Sequence, residues 1–293
     1  YRILGKTGLK ISRMGFGGIP IQRIDAEGTK ALMHKLLENG VNYIDTARGY
    51  TVSEEYLGIG LEGIREHFVL ATKSMSRTAE AMAKDIDISL KNLRTDYIDL
   101  YQIHNAPPAD LEKVCAPGGA LEALTAAKTA GKIGHIGITA HSLETFRMAL
   151  ELPWVETIMF PYNIVEDQAK ELIHACAEKN IGFIAMKPLA GGAIEDAVTA
   201  LRYVCANPDV TVVIPGMADI AELNQNLAAV NDSSPLSVEE EAKMRAIRDA
   251  LGTQFCRRCN YCQPCSAGIS ISSVFLFEGY LSRYLSLIHI SEP

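Results

Sequence analysis

FVLATKSMSRTAEAMAKDIDISLKNLRTDYIDLYQIH, residues 68–104, decides the fold. It opens on an apolar, β-branched run (68–73), passes through a helical stretch (78–92) and closes on a second apolar run (97–104). A crossover of this length joins parallel strands, because antiparallel neighbours need only a tight turn. Each apolar run ends on a residue that can ionise or donate a proton: Lys73 after the first, His104 after the second.

Working outward, the same unit recurs. MGFGG (14–18) precedes a helical stretch near 27–39, YIDTA (43–47) precedes 53–65, and YIDLYQIH precedes a loop, NAPPAD, and a helix near 118–130. KIGHIGIT (132–139) precedes 142–151, VETIMFPYN (155–163) precedes 167–179, IGFIAMKP (181–188) precedes 193–206, and VTVVIPG (210–216) precedes 219–228. With residues 68–92 this makes eight strand–helix units, the number that closes a (β/α)8 TIM barrel, so the expected class is α/β with a parallel sheet. Helix punctuation agrees. Ser53, followed by Glu54 and Glu55, reads as an N-cap, Gly131 as a left-handed stop, and Ser237 with Glu240 as a capping box opening a helix over 237–250 that Gly252 closes.

At 293 residues the chain allows one barrel and a small appendage, and 48% hydrophobic content supplies its core. No run approaches the roughly 20 apolar residues of a membrane span, and no signal-peptide pattern opens the chain, so a cytoplasmic protein without a membrane partner is expected. A net charge of −7, with no basic cluster larger than Arg257–Arg258, argues against nucleic acid. Seven cysteines in such a chain suit thiols or metal ligands better than a disulfide framework.

The strand ends carry the chemistry. Asp45, Lys73 and His104 end three consecutive strand runs, and Tyr50 lies in the turn after the first. Parallel barrels place their chemistry at this end. A lysine beside a tyrosine favours phenolate and draws the phenol down from about 10, an aspartate keeps the lysine charged, and a histidine opposite orients a carbonyl. The set suits delivery of a proton to a carbonyl oxygen as hydride reaches its carbon. Singly, each residue has a plain structural reading: Asp45 as a helix cap, Tyr50 as a loop aromatic, Lys73 as a snorkelling surface charge, His104 as a core histidine.

These motifs resemble the aldo-keto reductases over nearly the whole length. YRILGKTGLKISRMGFGG (1–18) resembles that family's N-terminal β-hairpin and first strand, DTARGY with SEEYLGIGL (45–61) its aspartate–tyrosine signature, residues 73–105 its lysine and histidine strands, and IPGMADIAELNQNL (214–227) its adenosine-binding strand and helix. The resemblance implies an NAD(P)H-dependent oxidoreductase acting on a small carbonyl or alcohol. Tyr50 is then the acid, Lys73 and Asp45 its tuning pair, and His104 the substrate-orienting group.

It also implies a cofactor site. Gly18 falls at the end of the first strand. Thr139 stands where the family has serine, Ala140 where many members have asparagine, and Met159 where glutamine is usual. Tyr162 matches a ring-stacking aromatic, and Asn163 follows it. KPLAGG, with Lys187, Pro188, Leu189, Gly191 and Gly192, offers small residues and a charge to the pyrophosphate. Gly216, Met217 and Glu222 replace the cation, hydroxyl and arginine that hold a 2′-phosphate in NADPH-using members, which leans the chain toward NADH, and Asn226 matches an adenine contact. Substrate selection is assigned to loop residues such as Ile19, Pro20 and 105–117.

Residues 1–252 are thus read as the barrel and 253–284 as a partial ferredoxin-like extension. Cys256, Cys259, Cys262 and Cys265 are each separated by two residues, which suits a 4Fe-4S iron–sulfur cluster, with zinc as the alternative. One branch of the resembled family carries such an extension, with a further cysteine group that this chain lacks. The final stretch LSLIHISEP (285–293) matches the translation of a sequencing-library transposase adapter, so a non-native tail is expected there. Two other readings stay open: a reductase-like redox sensor signalling to a redox partner, and an electron-transfer protein using the barrel as a scaffold.

Overall fold

The computed structural model describes residues 1–252, 255, 256, 262 and 265–275. Strands β1 (Arg2–Ile3) and β2 (Lys10–Ile11) form the antiparallel hairpin. Eight parallel strands follow: β3 (Phe16–Gly17), β4 (Tyr43–Asp45), β5 (Val69–Ser74), β6 (Ile98–Ile103), β7 (Ile133–Thr139), β8 (Thr157–Pro161), β9 (Gly182–Met186) and β10 (Val212–Val213). They pair in chain order, and parallel bridges Met14–Val213 and Gly17–Gly216 join the first to the last. The Gly15 amide donates to Val213 O at 2.9 Å and the Gly17 amide to Pro215 O at 3.0 Å. The sheet therefore curls back on itself in a TIM-barrel-like way. Glycine at 17 lets the first strand approach the 214–216 backbone closely, and glycine at 216 leaves room for Pro20.

The α-helices within residues 1–252 are α1 (Ala26–Glu38), α2 (Ser53–Gly60), α3 (Ala79–Asn92), α4 (Pro108–Cys115), α5 (Ala120–Thr129), α6 (Leu143–Leu150), α7 (Lys170–Glu178), α8 (Ala197–Ala206), α9 (Ile220–Asn231) and α10 (Val238–Leu251). Gly131 is left-handed at φ 75°, as expected after α5, and the Ser237–Glu240 capping box is formed. Two local expectations need correction. Ser53 does not cap α2: Val52 does, and the Ser53 hydroxyl instead pairs with Thr46 Oγ1 at 2.8 Å and donates to Gly18 O at 2.9 Å. The NAPPAD loop runs straight into α4, because Pro107 and Pro108 sit where a helix start tolerates a missing N–H.

The strand pleat sorts side chains into two cores. Tyr43, Ala71, Leu100, Met159, Ile184 and Val212 point inward, and Leu4 and Ile11 of the hairpin pack with them. The alternate residues Ile44, Leu70, Tyr101, Ile103, Ile158, Phe160 and Phe183 face the helices. The hairpin meets the N-terminal ends of the strands: the Lys6 amide donates to Asn180 O at 2.7 Å, and the Ser12 amide to Asn42 Oδ1 at 2.7 Å. That end is plugged, so chemistry is left to the C-terminal end.

Candidate active site

The same pleat aims Asp45, Lys73, Gln102 and His104 into the C-terminal mouth, since each has the inward parity of its strand. Asp45 lies opposite Ala71 and Lys73 opposite Gln102, so the lysine stands one residue level above the aspartate. Lys73 Nζ donates to Asp45 Oδ1 and, at 2.7 Å, to Thr46 O, while Gln102 Nε2 donates to Asp45 Oδ2 at 3.2 Å. Asp45 is 2% and Lys73 1% exposed. Burial raises the Asp45 carboxyl and lowers the Lys73 ammonium, and the contact between them offsets part of each shift.

Tyr50 lies in the turn after β4, its amide donating to Ala47 O at 3.1 Å. Lys73 Nζ is 4.9 Å from the centre of its ring. The His104 ring meets Tyr50 edge-on, with centroids 5.9 Å apart and planes at 83°. The His104 amide is fixed by Ser74 O at 2.9 Å, and Arg77 Nη2 donates to the His104 carbonyl at 2.9 Å. The buried Nδ1 of His104 has no partner among the described residues. Burial first, then the charges of Lys73, Arg77 and Lys187, lower His104 to about 3, so at neutral pH it is an uncharged imidazole. The four sequence-predicted catalytic residues therefore converge on one mouth. Gln102 was missed by sequence reading, although its spacing of two from His104 gives it the same inward parity.

The predicted cofactor residues fall in several settings. The Gly18 amide donates to Asp45 O at 2.8 Å, and a Cβ at 18 would press on that carbonyl. Thr139 is buried, its hydroxyl accepting from the Asn105 amide at 2.8 Å. Tyr162 has outward parity: it is buried, packs on Tyr203 of α8 at 5.5 Å and pairs with that residue's hydroxyl. The inward residue at the end of the neighbouring strand is the partly exposed Met186. Asn163 Nδ2 donates to Glu166 Oε2 and to Lys187 O, both at 2.9 Å, so Asn163 braces the Lys187 turn. In that turn Lys187, Ala190, Gly191 and Gly192 are left-handed and Pro188 is buried, while Leu189 is half-buried. Gly216 is exposed, Met217 and Asn226 are buried, and Glu222 accepts from the Ala218 amide at 2.6 Å beside the start of α9.

Of the cysteine set, Cys256, Cys262 and Cys265 are described and Cys259 lies outside the described residues, as do most of 253–284 and all of 285–293. Among the described residues no group of three or more His, Cys, Asp or Glu is arranged to hold a metal ion. The Cys265 thiol is lowered by the backbone N–H groups of Ile269 and Ala267. No helix among the described residues is long and apolar enough to cross a membrane.

A model of the Aldo/keto reductase family matches residues 13–200. L-galactose dehydrogenase of Arabidopsis thaliana is 28% identical over 291 residues, covering 82% of this chain and 91% of that protein. Aldo-keto reductase YhdN of Bacillus subtilis is 32% identical over 203 residues, covering 61% and 59%. The solved holo form of aldo-keto reductase AKR11C1 from Bacillus halodurans superposes with a TM-score of 0.73 at 25% identity, covering 84% of this chain and 95% of that one.

Proposed function

We propose that this chain, which belongs to the aldo/keto reductase family and is therefore an oxidoreductase, reduces a small aldehyde or ketone to an alcohol, or runs the reverse, with a nicotinamide cofactor. The observation that carries the reading is the convergence of Tyr50, Lys73, Asp45 and His104, with Lys73 Nζ 4.9 Å from the Tyr50 ring. A bound nicotinamide cofactor would supply hydride to the carbonyl carbon. Tyr50 gives its phenolic proton to the carbonyl oxygen, leaving a phenolate that faces the Lys73 cation. Asp45, held by Gln102, keeps that cation in place. Neutral His104 is a hydrogen-bonding group that orients the carbonyl without adding charge. In the alcohol-oxidising direction the phenolate takes the proton back.

The residues present fit a dinucleotide. The Lys187–Gly192 turn is short, small-sided and left-handed at Lys187, Ala190 and its glycines, a shape that suits close approach of an anion beside a lysine. Thr139 and Asn163 shape the adjoining strand ends. Met186, rather than Tyr162, is placed to meet a ring at the mouth. Glu222, at the start of α9, puts a carboxylate where a 2′-phosphate would otherwise profit from the helix N-terminus, which favours NADH. The similarity to L-galactose dehydrogenase points to sugar-derived alcohols as the first substrates to try. NADH turnover with a panel of aldehydes, set beside cofactor binding alone, tests the reading: binding without turnover would favour a redox sensor.

A second reading of the same chain, as an iron carrier, rests on cysteine spacing alone. Four cysteines at two-residue separations suit iron. Iron and sulfide content after anaerobic purification tests it. A stable full complement of iron would show that four local cysteines suffice, and an absence of iron would refute this second reading.

A further inference from the structure

Helix α2 delivers one carboxylate that the proposed chemistry does not use. Glu54 is 1% exposed, yet it is hydrogen-bonded at both oxygens. Oε1 accepts from Thr72 Oγ1 at 2.8 Å and Ser89 Oγ at 2.7 Å, and Oε2 accepts from Arg48 Nη1 at 2.6 Å and Asn92 Nδ2 at 3.4 Å. Thr72 precedes Lys73 on β5, and Arg48 lies two residues before Tyr50. The Arg48 amide also donates to the Lys73 carbonyl at 2.9 Å. Arg48 Nε stands 3.8 Å from Asp85 Oδ1 on α3, and Asp85 accepts from Ser74 Oγ and, at 2.7 Å, from Ser76 Oγ. The charged and titratable groups around Glu54 are thus Arg48, Asp85 behind it, Lys73, whose ammonium form Glu54 favours, and the Tyr101 hydroxyl, 3.3 Å from Ser89 Oγ.

We infer that the Glu54–Arg48 ion pair is a positioning device for the acid: it ties the turn that carries Tyr50 to the end of the strand that carries Lys73. The inference rests on the reading of Tyr50 as the proton donor. Neither residue has to touch substrate. The turn needs such a tie because Thr51, the residue after Tyr50, is held left-handed at φ 44°, a conformation that β-branched residues leave when released.

Glu54→Gln separates positioning from electrostatics. Its Oε1 keeps Thr72 and Ser89 as donors, but its amide nitrogen faces two other donors, Arg48 and Asn92, so the tie breaks while the buried side chain remains. The expected result is a kcat for aldehyde reduction at least about tenfold lower, with NADH affinity within about twofold. The alkaline limb of the pH–rate profile should move up as the phenol drifts from Lys73. Arg48→Met should lose the same factor, and the double variant no more than either single. Arg48→Lys, which keeps the cation, should recover part of the rate.

A correctly folded Glu54→Gln enzyme with kcat within about twofold of the unmodified protein, or a limb that moves down, overturns the inference. A readout independent of turnover covers failure of the functional reading. In protein with labelled Tyr and His rings, the nuclear Overhauser contact between Tyr50 and His104 should weaken in Glu54→Gln and Arg48→Met. If the unmodified protein reduces no carbonyl, the functional reading fails alone, and this contact still decides the positioning claim. If the variants do not fold, Ser89→Ala removes one bond at the far side of Glu54. An unchanged Tyr50–His104 contact and unchanged kcat there also overturn the claim.

Discussion

Lys73→Met removes the cation beneath the proposed acid while preserving the length of the side chain, so it opens little cavity. Asp45 would keep only Gln102 Nε2 as a hydrogen-bond donor, at 3.2 Å, in a site where it is 2% exposed. Breaking a buried pair by removing one partner costs about 3–5 kcal/mol. For a domain of this size that is a fall in Tm of roughly 6–10 °C, at about 2 °C per kcal/mol. The loss should depend on pH. Without Lys73, burial raises the Asp45 carboxyl further above its unfolded value of about 3.9. Between those two values the folded protein binds more protons than the unfolded chain. Stability therefore falls as pH rises through that window, by about 1.4 kcal/mol per pH unit. The deficit against the unmodified protein should be greatest near neutrality and shrink toward about pH 4. The Asp45→Asn/Lys73→Met double variant should recover at least about 2 kcal/mol at pH 7, since no charge is then left buried. Urea melts across this pH range provide the assay. A deficit that stays flat with pH, or a double variant as unstable as the sum of its singles, would refute the buried-pair reasoning.

Other outcomes follow from single contacts. His104 should show no imidazole titration by NMR between about pH 7.5 and about pH 4.5, because its folded value is about 3. Between that value and about 6.5 the unfolded chain binds the extra proton. Its contribution is thus intact above about 6.5 and is lost as pH falls toward 3; a midpoint near 6.5 would contradict the burial argument. NADH should bind at least as well as NADPH, and Glu222→Arg should improve NADPH binding by roughly 1–3 kcal/mol, as read by titration calorimetry. A tenfold preference of the unmodified protein for NADPH would refute the assignment. Gly58→Ala in α2 should destabilise by at least about 1–3 kcal/mol, because the new Cβ would overlap the Asn92 carbonyl oxygen; an unchanged denaturation midpoint would contradict that packing.

The fold was legible because its signal is periodic. Runs such as YIDTA and YIDLYQIH read as strands, and their alternation with helical stretches predicts the order in which β3 to β10 pair. The gathering of Asp45, Tyr50, Lys73 and His104 at one mouth was legible for the same reason, since residues at consecutive strand ends share one parity and one face. Placing the cofactor residues was harder. A register of one residue decides whether a side chain faces the mouth or the helices, and Tyr162, read as a stacking ring, lies on the helix side against Tyr203. Asn163 and Ser53 were given to cofactor and cap, but their hydrogen bonds go to the Lys187 turn and to Gly18. Such local competition between a polar side chain and nearby backbone leaves no trace in composition. Glu54 was read only as part of a helix start after Ser53, and packing reveals it as buried and bound to Arg48.

The central claim is that Tyr50 donates the proton, and Tyr50→Phe tests it most directly. The substitution keeps the ring against His104 and Lys73 and removes only the hydroxyl. With NADH and the best aldehyde from the substrate panel, kcat should fall by about 10²-fold or more while NADH affinity is retained. A Tyr50→Phe enzyme that reduces the same aldehyde at a near-normal kcat would contradict the account.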